Sequence, residues 1–115
     1  MRELQALQAS ADKRWGFVFE GDNSSFEENE RLLQSMMFCT LAICGEAGEL
    51  ANKIKKLSRA SMWGVNTAKV DIDDVREELA DILAYLLKLA NEMKVDLEEA
   101  YREKMERNDA RFRRT

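Results

Sequence analysis

Four carboxylates occur as two spaced pairs in otherwise apolar surroundings. Glu46 and Glu49 follow the apolar run 41–44, and Glu78 and Asp81 precede the apolar residues 82–85. A spacing of three places both members of a pair on one helical face, with Cβ atoms roughly 5–6 Å apart. Residues 50–77 leave room for one helix to end and the next to pack back antiparallel. We therefore expect all four carboxylates to converge.

Such a cluster of carboxylates needs to be neutralised. Two unit negative charges 4 Å apart repel by roughly 4 kcal/mol at an effective dielectric constant near 20. The sequence contains no histidine, which removes most zinc sites and histidine general bases. Oxygen ligands suit hard divalent cations, so we expect Mg²⁺, favoured by its availability, with Mn²⁺ as the alternative.

The same pairs are also typical of solvated helix faces, where Glu49 and Lys53, four residues apart, would form an ordinary ion pair. The glycines at 45 and 48 favour a site instead. Each costs about 0.8–1 kcal/mol relative to alanine inside a helix. Two of them flanking Glu46 indicate that a helix backbone or a ligand comes close there.

Hydrophobic spacing and capping residues predict four helices. The first covers about 3–15, with Trp15 as a core residue, and the second begins at a capping box formed by Ser25 and Glu28 and ends near 57. A loop is expected over 58–70. Asp71 and Asp96 are expected to cap the third helix, ending near 94, and the fourth, ending near 111.

Composition predicts a single all-α domain over residues 1–115, folded as an oligomeric four-helix bundle. The chain is 45% hydrophobic and 35% charged and has no proline, which favours helices. Residues 79–90 are apolar around most of the helix, so a second copy should cover them, in a homodimer or a homotetramer.

The expected partners and location follow from charge and hydropathy. A net charge of −4 argues against polymeric nucleic acid as a partner. The sequence has no apolar run near the ~20 residues that span a bilayer and no signal-peptide pattern at its start. We expect a cytoplasmic protein with no membrane partner.

The two acidic motifs resemble those of a known family. Residues 45–56 (GEAGELANKIKK) and 77–85 (EELADILAY) resemble the MazG-like nucleotide pyrophosphohydrolases of the all-α NTP pyrophosphatase superfamily, which includes the dCTP pyrophosphatases. The resemblance extends from about Met36 to Phe112. Gly45 stands where the family pattern has the first glutamate of a doublet.

The resemblance implies a Mg²⁺-dependent hydrolysis of (deoxy)nucleoside triphosphates to monophosphate and pyrophosphate, in nucleotide-pool house-cleaning. Glu46, Glu49, Glu78 and Asp81 would hold the metal, and either Glu46 or Glu49 would activate water. Further substrate contacts are implied at the following cationic and amide positions: Lys53, Lys56, Lys104, Asn108 and Arg111.

Two aromatic residues are further candidates for the substrate site. Trp63 can stack on a base, and Tyr85, four residues after Asp81, can hydrogen-bond a metal ligand or simply line the core. The rival to an enzyme is a non-catalytic helical module that binds a nucleotide or a protein. Pyrophosphate release with and without Mg²⁺ discriminates between them.

Overall fold

The computed structural model describes residues 1–17, 26–64 and 71–113, with the side chains of 26–28 and 60 excepted. These residues form four α-helices and no strand: α1 (Arg2–Trp15), α2 (Phe26–Trp63), α3 (Ile72–Glu92) and α4 (Leu97–Phe112). The predicted all-α class is confirmed. The chain divides into two compact units, Met1–Met36 with Leu87–Thr115 and Met37–Leu86.

In the first unit, α1 packs against the connection between α3 and α4. The side-chain amide of Gln5 donates to the Val95 carbonyl at 2.8 Å and accepts from the Leu97 backbone amide at 2.9 Å. The Arg2 guanidinium lies 2.7 Å from Asp96, whose side chain also caps α4 by accepting from the Glu99 amide. The predicted Asp96 cap is therefore confirmed, and α1 reinforces it.

The first unit also buries a charged group that the sequence did not single out. The Lys88 ammonium lies 3.5 Å from a carboxylate oxygen of Asp12 and 3.5 Å from one of Glu92, and it donates to the Phe17 carbonyl. All three charged side chains are about nine-tenths buried. Removing one member of a buried charge group leaves the others uncompensated, so this group fixes how α1 docks on the end of α3.

In the second unit, the larger part of α2 packs against the first four turns of α3. Cys39 is fully buried, and the rings of Phe38 and Tyr85 meet edge to face at 6.2 Å between centroids. Closer to the other end, the Lys53 ammonium bridges from α2 to Glu78 on α3. This unit carries both acidic pairs of the sequence.

Three helix-end predictions have different outcomes. The Asp71 cap is confirmed, because its carboxylate accepts from the Asp73 amide at 2.9 Å. The loop predicted from 58 was wrong over 58–63, because those residues include no glycine or proline and α2 continues until Gly64, whose φ is +61°. The Ser25–Glu28 capping box lies outside the described residues and side chains.

Many large apolar side chains stay exposed in the single chain. Trp15 is 60% exposed, so its predicted place in the core was wrong. On α3, Leu79 and Leu86 are 54% and 39% exposed, as the apolar pattern of that helix led us to expect. Over the residues described, none of the helices is long and apolar enough to cross a bilayer.

Replacing Lys88 by methionine should lower the free energy of unfolding by about 3–5 kcal/mol, because Asp12 and Glu92 lose their buried cation. Urea denaturation followed by circular dichroism measures this. Lys13→Met, an exposed lysine of α1, is the matched control and should change the same quantity by less than about 0.5 kcal/mol. Equal effects of the two substitutions would contradict the structural role of Lys88.

Candidate metal centre

Three of the four predicted carboxylates converge in the second unit. Glu46 and Glu49 from α2 and Glu78 from α3 each offer an oxygen, and these oxygens all lie within 4.8 Å of one another. Glu78 is buried, Glu46 half-buried and Glu49 exposed. The set is therefore closed on the α3 side and open to solvent at Glu49, which suits a cation that must also accept a substrate.

Asp81 lies at the margin of this group. Its side chain is exposed, and its oxygens are not among the three that meet within 4.8 Å. Its negative charge nevertheless acts on Glu46. Of the four carboxylates expected to converge, three meet in this group, while Asp81, one turn beyond Glu78 on α3, contributes charge.

Lys53 reaches across the two helices instead of pairing along its own. Its ammonium donates to Glu78 Oε1 at 3.0 Å, whereas the solvated-face alternative raised by the sequence would have paired it with Glu49. This bond raises the pKa of Lys53 and lowers that of Glu78. One cation beside four carboxylates leaves the cluster strongly negative, so Lys53 alone does not neutralise it.

The electrostatic strain is concentrated on Glu46. A hydrogen bond shared with Glu78 raises the pKa of Glu46 to about 7, and desolvation and the charges of Glu49 and Asp81 act in the same direction. A proton on Glu46 would therefore be held near neutral pH, with its hydroxyl donating to Glu78. A divalent cation would relieve the same repulsion by displacing that proton.

The donor set fits a hard divalent cation. As carboxylates, Glu46 and Glu78 each bury an oxygen, Oε2, that no donor in the described part of the chain reaches. Buried polar atoms are nearly always paired, so two such oxygens beside one another call for a proton or a cation. The ligands are oxygens alone, which matches Mg²⁺ or Mn²⁺ better than zinc or copper.

The two glycines of α2 have no close neighbour. A Cβ built on Gly45 or on Gly48 would meet no atom within 4 Å among the described residues. Of the two predicted neighbours, a helix backbone or a ligand, the described residues supply no backbone within that distance. The open space leaves a ligand or a second copy of the chain as the reason for residues that weaken the helix.

The other predicted site residues are divided between the units. In the second unit, Lys56 and Trp63 are exposed and Tyr85 is half-buried against Phe38. In the first unit, Lys104 and Arg111 on α4 are exposed and Asn108 is half-buried. Their contact with a substrate stays a prediction.

Sequence reasoning missed Phe38. It is 59% exposed and touches Tyr85, the one predicted substrate residue on the same side of α3 as Glu78. The sequence did contain a signal that Phe38 lies on the side of α2 that carries Gly45. Phe38 precedes Gly45 by seven residues, which is two helical turns.

Comparison with known proteins identifies the family. Residues 34–113 match the MazG nucleotide pyrophosphohydrolase domain. The chain belongs to this family. The matched range includes all four carboxylates and the whole of α3 and α4.

Curated relatives of this MazG-family chain come from a phage and from mammals. It is 34% identical to dCTP pyrophosphatase 1 of Rattus norvegicus and 33% identical to that of Mus musculus, each over 84% of this chain and 52% of the relative. It is 40% identical to the Gene 37 protein of Mycobacterium phage L5 over 55% of this chain and 54% of that protein. The chain thus spans about half the length of the curated relatives it matches. No solved structure matches it.

The raised pKa of Glu46 predicts that the thermal stability of the metal-free protein, kept metal-free by a chelator, depends on pH. The folded state binds the proton on Glu46 more tightly than the unfolded state does. This proton therefore stabilises the folded state fully below the ordinary glutamate pKa of 4.5, and the stabilisation is lost as the pH rises through about 7. Between pH 5 and 8, the melting temperature of the wild type should fall more than that of Glu46→Gln.

Calorimetric melting of the two proteins in EDTA at several pH values measures that difference. Glu77→Gln, the exposed neighbour of Glu78, is the control and should follow the wild type. Parallel curves for the wild type and Glu46→Gln would contradict the shared proton.

Proposed function

We propose that this chain is a divalent-cation-dependent nucleoside triphosphate pyrophosphohydrolase, converting a (d)NTP and water to the (d)NMP and pyrophosphate. The observation that carries the proposal is the meeting of Glu46, Glu49 and Glu78 from two helices, with two buried oxygens that no donor reaches. Membership of the MazG nucleotide pyrophosphohydrolase domain family supports the same reaction.

Glu46, Glu49 and Glu78 are proposed to hold the metal, with Asp81 completing the set. Mg²⁺ bound by them would neutralise negative charge on the triphosphate. Glu78 is the most buried of the four and is fixed by Lys53, so it is suited to anchor the cation. Glu49 is exposed and faces the side from which a substrate arrives.

A carboxylate of α2 is proposed to activate the attacking water. The water oxygen bonds to the α-phosphorus, the bond to the α–β bridging oxygen breaks, and pyrophosphate leaves with that oxygen. The carboxylate that orients the water takes its proton. Glu46 and Glu49 are both candidates, because each is one of the three converging side chains.

Cationic side chains are proposed to bind the phosphates. Lys53 already lies at the carboxylates, 3.0 Å from Glu78 Oε1, and Lys56 follows it by three residues on the same exposed stretch of α2. By family resemblance, Lys104, Asn108 and Arg111 of α4 would bind the substrate as well. A single catalytic domain over residues 1–115 is part of this proposal.

Deoxynucleotides, dCTP first, are the proposed substrates to test, because the mammalian relatives carry the name dCTP pyrophosphatase 1. Removal of unwanted nucleotides from the precursor pool is the proposed role. A cytoplasmic site of action goes with it, because nucleoside triphosphates are made and used there.

A homodimer, or a tetramer of two dimers, is proposed as the working form. Leu79 and Leu86 on α3 and Leu41 on α2 are large, apolar and exposed in the single chain. Exposed apolar surface on this scale marks an interaction surface, and a second copy of the same chain is always present to cover it.

Glu49→Gln and Asp81→Asn should each lower kcat for pyrophosphate release by roughly 10²–10⁴-fold, because a metal ligand or general base is lost. A coupled pyrophosphate assay with dCTP and Mg²⁺ measures this, and circular dichroism checks that the helices remain. Glu77→Gln is the matched control and should keep wild-type turnover. Full activity in both site variants would refute these roles.

Wild-type protein that binds dCTP but releases no pyrophosphate, across a panel of canonical and modified dNTPs with Mg²⁺ or Mn²⁺, would instead identify the chain as a non-catalytic nucleotide-binding module.

Light scattering after size-exclusion chromatography should give at least twice the 13.3 kDa of one chain at micromolar concentration. Leu79→Glu should shift the population toward the monomer, because a charge on the covered face opposes association. A wild-type monomer at that concentration would overturn the oligomer.

A further inference from the structure

Two residue stripes run side by side from the carboxylates to the aromatic pair. On α2, Glu49, Gly45 and Phe38 are spaced by four and seven residues and therefore share one side of the helix. On α3, Glu78, Asp81 and Tyr85 are spaced by three and four and share a side in the same way. The stripes face each other at both ends, through the Glu46–Glu49–Glu78 group and through the Phe38–Tyr85 contact.

The two ends are separated by about two helical turns on α3 and about three on α2. Tyr85 follows Glu78 by seven residues, which is roughly 10 Å along α3. On α2 this side carries Leu41, Ala42 and Gly45 between Phe38 and Glu49, and a Cβ on Gly45 would meet nothing within 4 Å among the described residues. The α2 backbone at Gly45 is therefore uncovered by that part of the chain, between the carboxylates and the ring.

Phe38 presents an aromatic face that the protein does not cover. Its side chain is 59% exposed although it touches Tyr85 edge to face, at 71° between ring planes. This contact holds the ring while leaving a face available. An exposed aromatic face is a stacking platform for any nucleobase.

At the acidic end, the buried Glu78 side chain has an oxygen that no donor of the described residues reaches, which calls for a proton or a cation there independently of the aromatic pair. A nucleotide with its triphosphate at these carboxylates would reach Gly45 with its sugar and Phe38 with its base.

We propose that Phe38 is a specificity-determining residue of this site, forming with Tyr85 the platform on which the nucleobase of a nucleoside triphosphate stacks. This rests on the proposed function, which assigns the triphosphate to the carboxylates. It adds where the nucleoside binds. It also explains why residue 45 is a glycine, since a side chain there would occupy the path of the sugar.

The test compares substrates and inhibitors with and without a base. Phe38→Ala should raise KM for dNTPs roughly tenfold, because one stacking contact is lost, and leave kcat within about twofold. The inhibition constant of inorganic tripolyphosphate, which has no base, should stay within twofold. Phe38→Trp should restore the wild-type KM, and Phe38→Leu, apolar but without a stacking face, should not.

Met37→Ala is the matched control, since Met37 is 55% exposed in the same turn of α2 but points to another side. It should leave both constants unchanged. An unchanged KM in Phe38→Ala, or an equal rise in the tripolyphosphate constant, overturns the proposal.

Failure of the proposed function has a different signature, namely wild-type protein that releases no pyrophosphate. In that case, calorimetric binding of α,β-imido-dCTP with Mg²⁺ replaces the kinetic assay. A roughly tenfold weaker affinity in Phe38→Ala, restored in Phe38→Trp, still supports the platform. Equal affinities across the variants overturn it.

Discussion

Repulsion among like charges is the constraint on which the second unit depends. Three carboxylate oxygens lie within 4.8 Å of one another, with Asp81 adding charge and Lys53 the one cation in hydrogen-bond contact with them among the described residues. The packing of α2 on α3 must hold these carboxylates together against their mutual repulsion. A cation bound there would remove that cost, so its binding energy would also stabilise the contact between the two helices. Metal binding would then be linked to the local fold of this unit.

The carboxylates could be predicted from the sequence because their spacing is a property of one helix. A separation of three fixes which residues share a face whatever the helix packs against. The contacts across helices could not be predicted, since they depend on the register of α2 against α3. For that reason the sequence offered only Glu49, on the same helix, as an ion-pair partner for Lys53 in the solvated-face alternative, whereas Lys53 pairs with Glu78. The same lack of register information concealed the meeting of Phe38 with Tyr85.

Helix ends follow the same division between local and tertiary causes. The caps at Asp71 and Asp96 are local contacts of a carboxylate with a backbone amide two or three residues on, and both were predicted. The pair of Lys88 with Glu92 is a local i,i+4 contact on α3, but the contact of Lys88 with Asp12 of α1 is tertiary, and no spacing in the sequence marks that contact. The exposure of Trp15 has a similar origin, because amphipathic spacing shows that a side chain is apolar and does not show what covers it.

The way in which the site binds the nucleobase determines how strongly it discriminates among different bases. Stacking on Phe38 uses the face of a base, which all nucleobases offer, and reads none of the hydrogen-bonding groups on its edge. A platform alone therefore strengthens binding with little discrimination, whereas a site that pairs the edge rejects the wrong base strongly. On the proposed placement the carboxylates and the ring select for a triphosphate joined to a flat heterocycle. Discrimination among bases must then come from polar groups that reach the edge of the base from beyond these two stripes.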